Sequence, residues 1–171
     1  VGTDNYLGGR LATQHLIEQG CRSIAFLGDT KAIELSLRLE GARAAVADAG
    51  VQVELVEIPT HLAAELSGED IAAFLDNAER APDGFFAASD MIALTAIQVL
   101  AGRRLTVPGD VRVVGYDDLA IARSSVPPLT TIRQDIASGA SHLVDNLFKR
   151  IEGRPTGSVV LNPELIVRAS T

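Results

Sequence analysis

Short polar side chains follow four apolar runs of the sequence, at the points where β-strands are expected to end. They are Asp29-Thr30, Thr60-His61, Ser89-Asp90 and Tyr116-Asp117-Asp118. If these runs are parallel strands of one α/β sheet, their carboxyl ends meet at one edge, where such sheets bind ligands. Arg38, near the start of a predicted helix, is the base that could share this edge. A planar guanidinium facing carboxylates suits a polyhydroxylated ligand, because neighbouring hydroxyls can bridge both groups.

Arg38, Asp90 and Asp117 also have a plain structural explanation. Aspartate is a common helix cap, and most arginines lie at the protein surface. Spacing alone does not separate a ligand site from two caps and a surface charge, so both explanations stay open.

The motifs of the common catalytic classes are absent from the sequence. G-x-S-x-G, Walker A and G-x-G-x-x-G do not occur. His61 and Glu65 have i, i+4 spacing, but a pair without a third ligand is a weak indication of a metal site. Asp29, Asp90 and Asp117 could form a phospho-acceptor cluster, yet the adjacent acidic pair and the lysine that such a site needs are not apparent. We therefore expect a protein that is not an enzyme and that uses no cofactor or metal.

Composition limits the partners of the chain. Its 171 residues carry 22 acidic against 15 basic side chains, a net charge of −7. Nucleic-acid-binding surfaces are basic, so this chain alone is expected not to bind DNA. No apolar run reaches the roughly 18–20 residues that span a bilayer, so no membrane partner is expected. The single cysteine, Cys21, suits a reducing compartment, and we expect a cytoplasmic protein.

Apolar runs and helical patterns alternate through the middle of the chain. Strands are predicted at residues 24–28, 53–58, 85–88 and 111–116, with helices at 36–49, 67–78 and 91–101 between them. Strands separated by helices of this length need right-handed crossovers, which give a parallel sheet with helices on both faces. The predicted fold class is therefore α/β, with a doubly wound parallel sheet.

Two amphipathic helices flank this pattern with almost no strand to cover them. They are predicted near residues 8–20 and at 136–151, and a last strand pair is predicted at 159–161 and 165–167. The simplest interpretation is one complete lobe plus helical pieces of a second. The predicted division assigns residues 1–21 and 131–155 to the second lobe, and 22–130 with 156–171 to the complete one.

An ordered set of motifs resembles the LacI/GalR family of bacterial transcription regulators. The motifs are DNYLGGR at 4–10, RLEG at 38–41, SDMIA at 89–93, VGYDD at 114–118, PLTTI at 128–132 and PELIVRAST at 163–171. The resemblance covers essentially the whole chain in the right order. It implies a periplasmic-binding-protein-like core of two lobes, preceded by a helix-turn-helix headpiece that this chain lacks. It also implies a homodimer that binds DNA only through that headpiece.

The resemblance implies roles for particular residues, because family members bind a small-molecule effector between the lobes. Arg38 and Asp117 match positions that contact the effector, and Ser89 matches a small polar contact position. Asp90 matches a residue that caps its helix and orders the site, and all four are our candidate ligand-binding residues.

Two departures from the family pattern bear on the effector. The loop around Ala32 and Glu34 is not the basic loop of purine-binding members, and no stacking aromatic is evident near Leu62-Ala63. A sugar or sugar derivative is therefore the expected effector. The alternative function is a solute-binding protein that feeds a sugar transporter, which shares the lobes and the cleft.

Overall fold

The computed structural model describes residues 1–61 and 64–171. Helices and strands alternate through these described residues. The strands are β1 (Gly2–Thr3), β2 (Ser23–Leu27), β3 (Glu54–Ile58), β4 (Gly84–Ala87), β5 (Arg112–Asp117), β6 (Thr130–Arg133), β7 (Val160–Leu161) and β8 (Glu164–Ile166). The helices are α1 (Asn5–Glu18), α2 (Ile33–Ala47), α3 (Ala64–Asn77), α4 (Asp90–Gly102), α5 (Ala120–Ser124) and α6 (Ile136–Ile151).

Most strands of the described chain belong to one large sheet, in the order β3-β2-β4-β5-β6-β8. All neighbouring pairs are parallel except β6 and β8, which are antiparallel. The chain leaves β2 through α2 toward one side and β4 through α4 toward the other. Right-handed crossovers therefore put these helices on opposite faces of the sheet. The predicted α/β class with a doubly wound parallel sheet is confirmed.

The core lies on both faces of the central strands. β2, β4 and β5 were predicted as continuous apolar runs, and their central side chains are fully buried. Phe26 and Phe86 are direct neighbours in the β2–β4 register, and their rings pack edge to face with centroids 5.3 Å apart. Burying each such ring contributes about 2–3 kcal/mol.

Helix α1 belongs to the core of the large sheet, which corrects part of the predicted division. Residues 1–21 were predicted to lie with the second lobe. Instead, Ala12 and Leu16 of α1 are completely buried in the same core as the strands. Glycines at the contact allow this, because α1 and α2 cross almost backbone to backbone. A Cβ at Gly9 would lie 1.9 Å from the carbonyl oxygen of Arg38, and a Cβ at Gly41 would lie 1.9 Å from that of Tyr6.

The predicted second-lobe segment, residues 131–155, also differs from the structure at its ends. Thr131 and Ile132 were assigned to it, but they lie in β6 of the large sheet. Conversely, β7 was predicted to pair with the strand that follows it. It pairs instead with β1, in parallel, to form a separate small sheet. Two short strands from opposite ends of the chain meet there, and sequence patterns do not reveal such distant pairing.

Helix α6 has the bounds predicted from its periodicity. Its apolar stripe is largely exposed, with side chains between 51% and 71% accessible. They are Ile136, Leu143, Val144, Leu147, Phe148 and Ile151. In the described part of the chain, no helix is both long enough and apolar enough to cross a membrane.

Candidate ligand-binding site

Arg38 lies inside the protein at the edge of the large sheet, and it is not a surface charge. Its side chain extends from the first half of α2 and is 7% exposed. The guanidinium lies 3.5 Å above the centre of the Tyr116 ring. Its Nε donates to Asn5 Oδ1 at 2.8 Å, and its Nη1 donates to the carbonyl oxygen of Ala88. Arg38 is therefore a buried cation that is fixed on an aromatic face by directional hydrogen bonds.

Asp117 ends β5 directly after Tyr116, so it lies beside the ring that carries Arg38. Its φ of 111° and the φ of 51° at Asp118 place both residues in the left-handed region. Such backbone costs free energy and is concentrated at functional sites. Burial raises the pKa of Asp117, while a hydrogen bond from Gln134 and the charge of Arg38 oppose that rise. Gln134 Nε2 donates to Asp117 Oδ1 at 2.7 Å.

The structure gives the cap of helix α4 to Ser89 rather than to Asp90. Ser89 is the cap of α4, since its hydroxyl accepts from the amide of Ile92 at 3.3 Å. Asp90 is the first residue of the helix, is fully buried and does not cap it. Its Oδ2 accepts from the amide of Leu119 at 2.7 Å, and its Oδ1 accepts from the Thr131 hydroxyl at 2.5 Å. Both oxygens therefore hold the loop after β5, which argues against Asp90 as a phospho-acceptor.

Burial gives Asp90 an unusual proton affinity. It raises the pKa of Asp90 to about 6, although hydrogen bonds from Thr131 and Leu119 lower it. The nearby carboxylates of Asp117 and Asp118 add to the rise. The ionised form thus carries a cost in the folded protein that is absent in the unfolded chain.

We expect Asp90→Asn to change how stability depends on pH. Because the pKa of Asp90 is higher in the folded state, that state binds more protons between pH 4 and 6. Ionisation of this group therefore lowers the free energy of unfolding as pH rises through that window. A shift from 3.8 to about 6 corresponds to about 3 kcal/mol. Urea unfolding of both proteins at pH 4.5 and 7 measures it: wild type should lose stability relative to the variant. If wild type and Asp90→Asn differ in free energy of unfolding by the same amount at both pH values, the raised pKa of Asp90 is wrong.

Asp118 anchors the same loop, and sequence reasoning missed this role. Its side chain is 2% exposed and faces three guanidinium groups, those of Arg123, Arg133 and Arg168. Arg133 Nε donates to Asp118 Oδ2 at 2.7 Å. Burial would raise the pKa of Asp118, but hydrogen bonds and charges from Arg168 and Arg133 outweigh it and lower the pKa. The arginines are far apart in sequence, so no local motif indicates the cluster.

Two adjoining cavities open beside these residues. One, of about 550 Å³, is lined by residues that include Thr3, Asn5, Arg38, Gln134 and Leu143. The other, of about 430 Å³, includes Asp117 and shares Gln134, Asp135 and Ile136 with the first. Both volumes lie in the range of small-molecule sites. Together they form a cleft between the large sheet and α6.

The remaining candidates from the sequence lie elsewhere. Asp29 and His61 line a separate cavity of about 150 Å³. The His61 ring contacts Asp70 at 2.8 Å, whereas the Glu65 side chain and Leu62-Ala63 lie outside the described residues. Cys21 is buried, and burial raises its pKa to about 11, which makes it a packing residue.

Comparison with known proteins bears on both the fold and this cleft. Residues 13–171 match the family of periplasmic binding protein-like domains. The chain belongs to that family. It is 38% identical over 175 residues to the HTH-type transcriptional regulator CelR of Thermobifida fusca, covering 99% of this chain and 51% of CelR. The chain therefore spans about half the length of this relative.

Solved structures of LacI-type regulators share the fold. A complex of the transcriptional regulator CelR with cellobiose superposes with a TM-score of 0.88 at 35% identity, covering 99% of this chain and 53% of the other. A dimeric Lac repressor with a C-terminal deletion superposes at 0.89 and 29% identity, covering 99% and 62%. The predicted resemblance to LacI-type regulators is confirmed, and these relatives are transcriptional regulators rather than enzymes.

Gln134 and Asn5 are site residues that the sequence did not single out, and Tyr116 was named only with the polar residues that follow a predicted strand. Gln134 is the second residue after PLTTI, and Asn5 and Tyr116 stand inside quoted motifs. Their position within matched segments was the available signal. Only the structure shows that they contact Arg38 and Asp117.

Proposed function

We propose that this chain is the effector-sensing core of a DNA-binding transcriptional regulator, usually a repressor, and that its effector is a sugar or sugar derivative. The observation that carries the proposal is that Arg38 and Asp117 lie near one another at the carboxyl ends of the strands and border adjoining cavities. Both are held by protein groups and both border the cleft. Arg38, Ser89 and Asp117 would contact the effector, whereas Asp90 would order the loop.

A sugar fits the chemistry of this cleft. The lining combines donors on Arg38 and Gln134 with acceptors on Asp117 and Asp135, and vicinal hydroxyls use both kinds of partner. The exposed side chain of Ile136 adds an apolar surface for the face of a sugar ring. The cellobiose in the CelR complex supports the same class of ligand.

DNA binding would reside in a part of the protein beyond these residues. The net charge of −7 is unfavourable for binding the nucleic-acid backbone. We place the protein in the cytoplasm as a homodimer, in keeping with the dimeric Lac repressor that it resembles. The alternative of a transport-linked solute-binding protein is not favoured, since the relatives are regulators. No nucleophile paired with a base is found among the described site residues, so we propose no catalytic activity.

Thermal unfolding in the presence of candidate ligands tests this function. Cellobiose, ribose, glucose 6-phosphate and two nucleobases form the panel. A ligand at about 100 times its Kd stabilises by about 2.7 kcal/mol, which raises Tm by about 5–10 °C in a domain of this size. We expect a shift of this size with at least one sugar and none with a nucleobase. A shift with nucleobases alone would overturn the sugar assignment.

A further inference from the structure

The Arg38 guanidinium is hydrogen-bonded by Asn5, a residue of another helix. Arginine carries five N–H donors in a planar fork, and its use in recognition requires that the plane be fixed. The Tyr116 ring fixes the plane at 3.5 Å, but a ring face allows rotation within that plane. Directional hydrogen bonds must stop this rotation. They come from Asn5 at Nε and from the Ala88 carbonyl at Nη1.

Asn5 uses both ends of its side-chain amide in this arrangement. Oδ1 accepts from Arg38 Nε at 2.8 Å and from the Tyr116 hydroxyl at 3.4 Å. Nδ2 donates to the carbonyl oxygen of Thr3 at 3.2 Å. The residue is 8% exposed. The cap of α1 is provided by the neighbouring Asp4, which accepts from the amide of Leu7. Asn5 is therefore not needed to start the helix, and in the described part of the chain its amide contacts Arg38, Tyr116 and Thr3.

Thr3 continues this chain of contacts to the second ligand candidate. Its hydroxyl donates to Gln134 Oε1 at 2.8 Å, and Gln134 Nε2 donates to Asp117 Oδ1 at 2.7 Å. Thr3 lies in β1, the strand that leads from the small sheet into α1. Arg38 and Asp117 are thus held against the same strand from two sides.

We propose that Asn5 is a positioning residue of the effector site, which locks the Arg38 guanidinium in the orientation that faces the cleft. Arg38 lines the 550 Å³ cavity, and its Nη2 is not among the atoms held by Asn5 and Ala88. Once Asn5 and Ala88 hold Nε and Nη1, the unused donors are left for the ligand. The inference rests on the proposed function for its ligand, but not for its geometry.

Two replacements of Asn5 separate positioning from packing. Asn5→Leu keeps the size of the side chain and removes the acceptor. Asn5→Asp keeps an oxygen toward Arg38 and adds charge assistance, which offsets the lost bond to Thr3. Asn77→Leu is the matched control, because Asn77 is exposed and its amide contacts only its own helix.

Two measurements decide the proposal. Solvent exchange of the Arg38 Nε–H, followed by NMR on arginine-labelled protein, should be at least tenfold faster in Asn5→Leu and slow in wild type, Asn5→Asp and the control. Affinity for cellobiose should fall at least tenfold in Asn5→Leu and stay within threefold in the other two. Slow exchange in Asn5→Leu, fast exchange in Asn5→Asp, or unchanged affinity in Asn5→Leu would overturn the role of Asn5. The exchange measurement uses no ligand, so it decides even where cellobiose fails to bind and the proposed function is wrong.

Discussion

Gly41→Ala, which adds a single methyl group, is expected to lower the free energy of unfolding by about 3 kcal/mol. This is the upper end of the usual range for overpacking. The new Cβ would lie 1.9 Å from the carbonyl oxygen of Tyr6, and this atom belongs to backbone that a side-chain rotation cannot move. Helix α1 would have to retreat from α2. Alanine gains about 1 kcal/mol of helix propensity over glycine, which is too little to offset the clash. For a domain of this length, Tm should fall by about 6–12 °C.

Gly102→Ala is the matched control for this substitution. Gly102 ends α4, and a Cβ built there meets nothing within 4 Å. It should therefore be neutral or raise stability by up to about 1 kcal/mol. Equal thermal stability of Gly41→Ala and wild type would mean that α1 and α2 do not cross this closely, and the placement of α1 would be wrong.

The central sheet could be predicted because the sequences of its strands themselves indicate that the strands are buried. The runs around Phe26, Phe86 and Val114 are apolar on both faces, and only a sheet covered by helices on both sides buries such strands. The alternation of apolar and acidic residues over the predicted strand 53–58 is typical of an exposed or edge strand, and β3 lies at the edge of the sheet. Local pattern and final environment agree at these positions.

The position of α1 could not be predicted, because an apolar helix face shows that the helix packs against something but not which surface it packs against. Ala12 and Leu16 fit the core of the large sheet as well as that of a second lobe. The deciding feature is the close approach allowed by Gly9 and Gly41, which stand 32 residues apart in the sequence. In a sequence, a glycine within a helix indicates only low helix propensity. Its role in close packing becomes clear once the residue that it contacts on the neighbouring helix is known.

The same distinction holds for the site: some of its residues could be predicted from local sequence, whereas their partners lie far away in the sequence. Asp117 and Ser89 follow strands, so their place at the sheet edge follows from topology. The partners that fix their loop do not, since Thr131, Arg133 and Arg168 reach Asp90 and Asp118 from other strands or from the end of the chain. The interpretation of Arg38 as a surface charge is wrong, and again the residue that decides it is distant in the sequence. Its burial depends on Tyr116, 78 positions away.

Asp117→Asn is expected to weaken binding of the sugar effector by about tenfold to a hundredfold, since a hydrogen bond to a charged group contributes about 1.5–3 kcal/mol. Asparagine has the size of aspartate and tolerates the positive φ of this position. Its carbonyl oxygen can still accept from Gln134, so the loop should keep its shape. What disappears is the charge and the second acceptor, which would otherwise receive a sugar hydroxyl.

Calorimetry with the sugar that gives the largest thermal shift measures this loss. Arg38→Lys should weaken the same sugar by a similar factor, because lysine keeps the charge but loses the planar fork. Asp76→Asn is the control, since Asp76 is 65% exposed on α3 and pairs only with Arg103 among the described residues. Tm should be nearly the same for Asp117→Asn and wild type, which separates lost recognition from lost folding. If Asp117→Asn and Arg38→Lys both bind the sugar as wild type does, these two residues serve only to build the sheet edge, and the sugar is recognised at another place in the cleft.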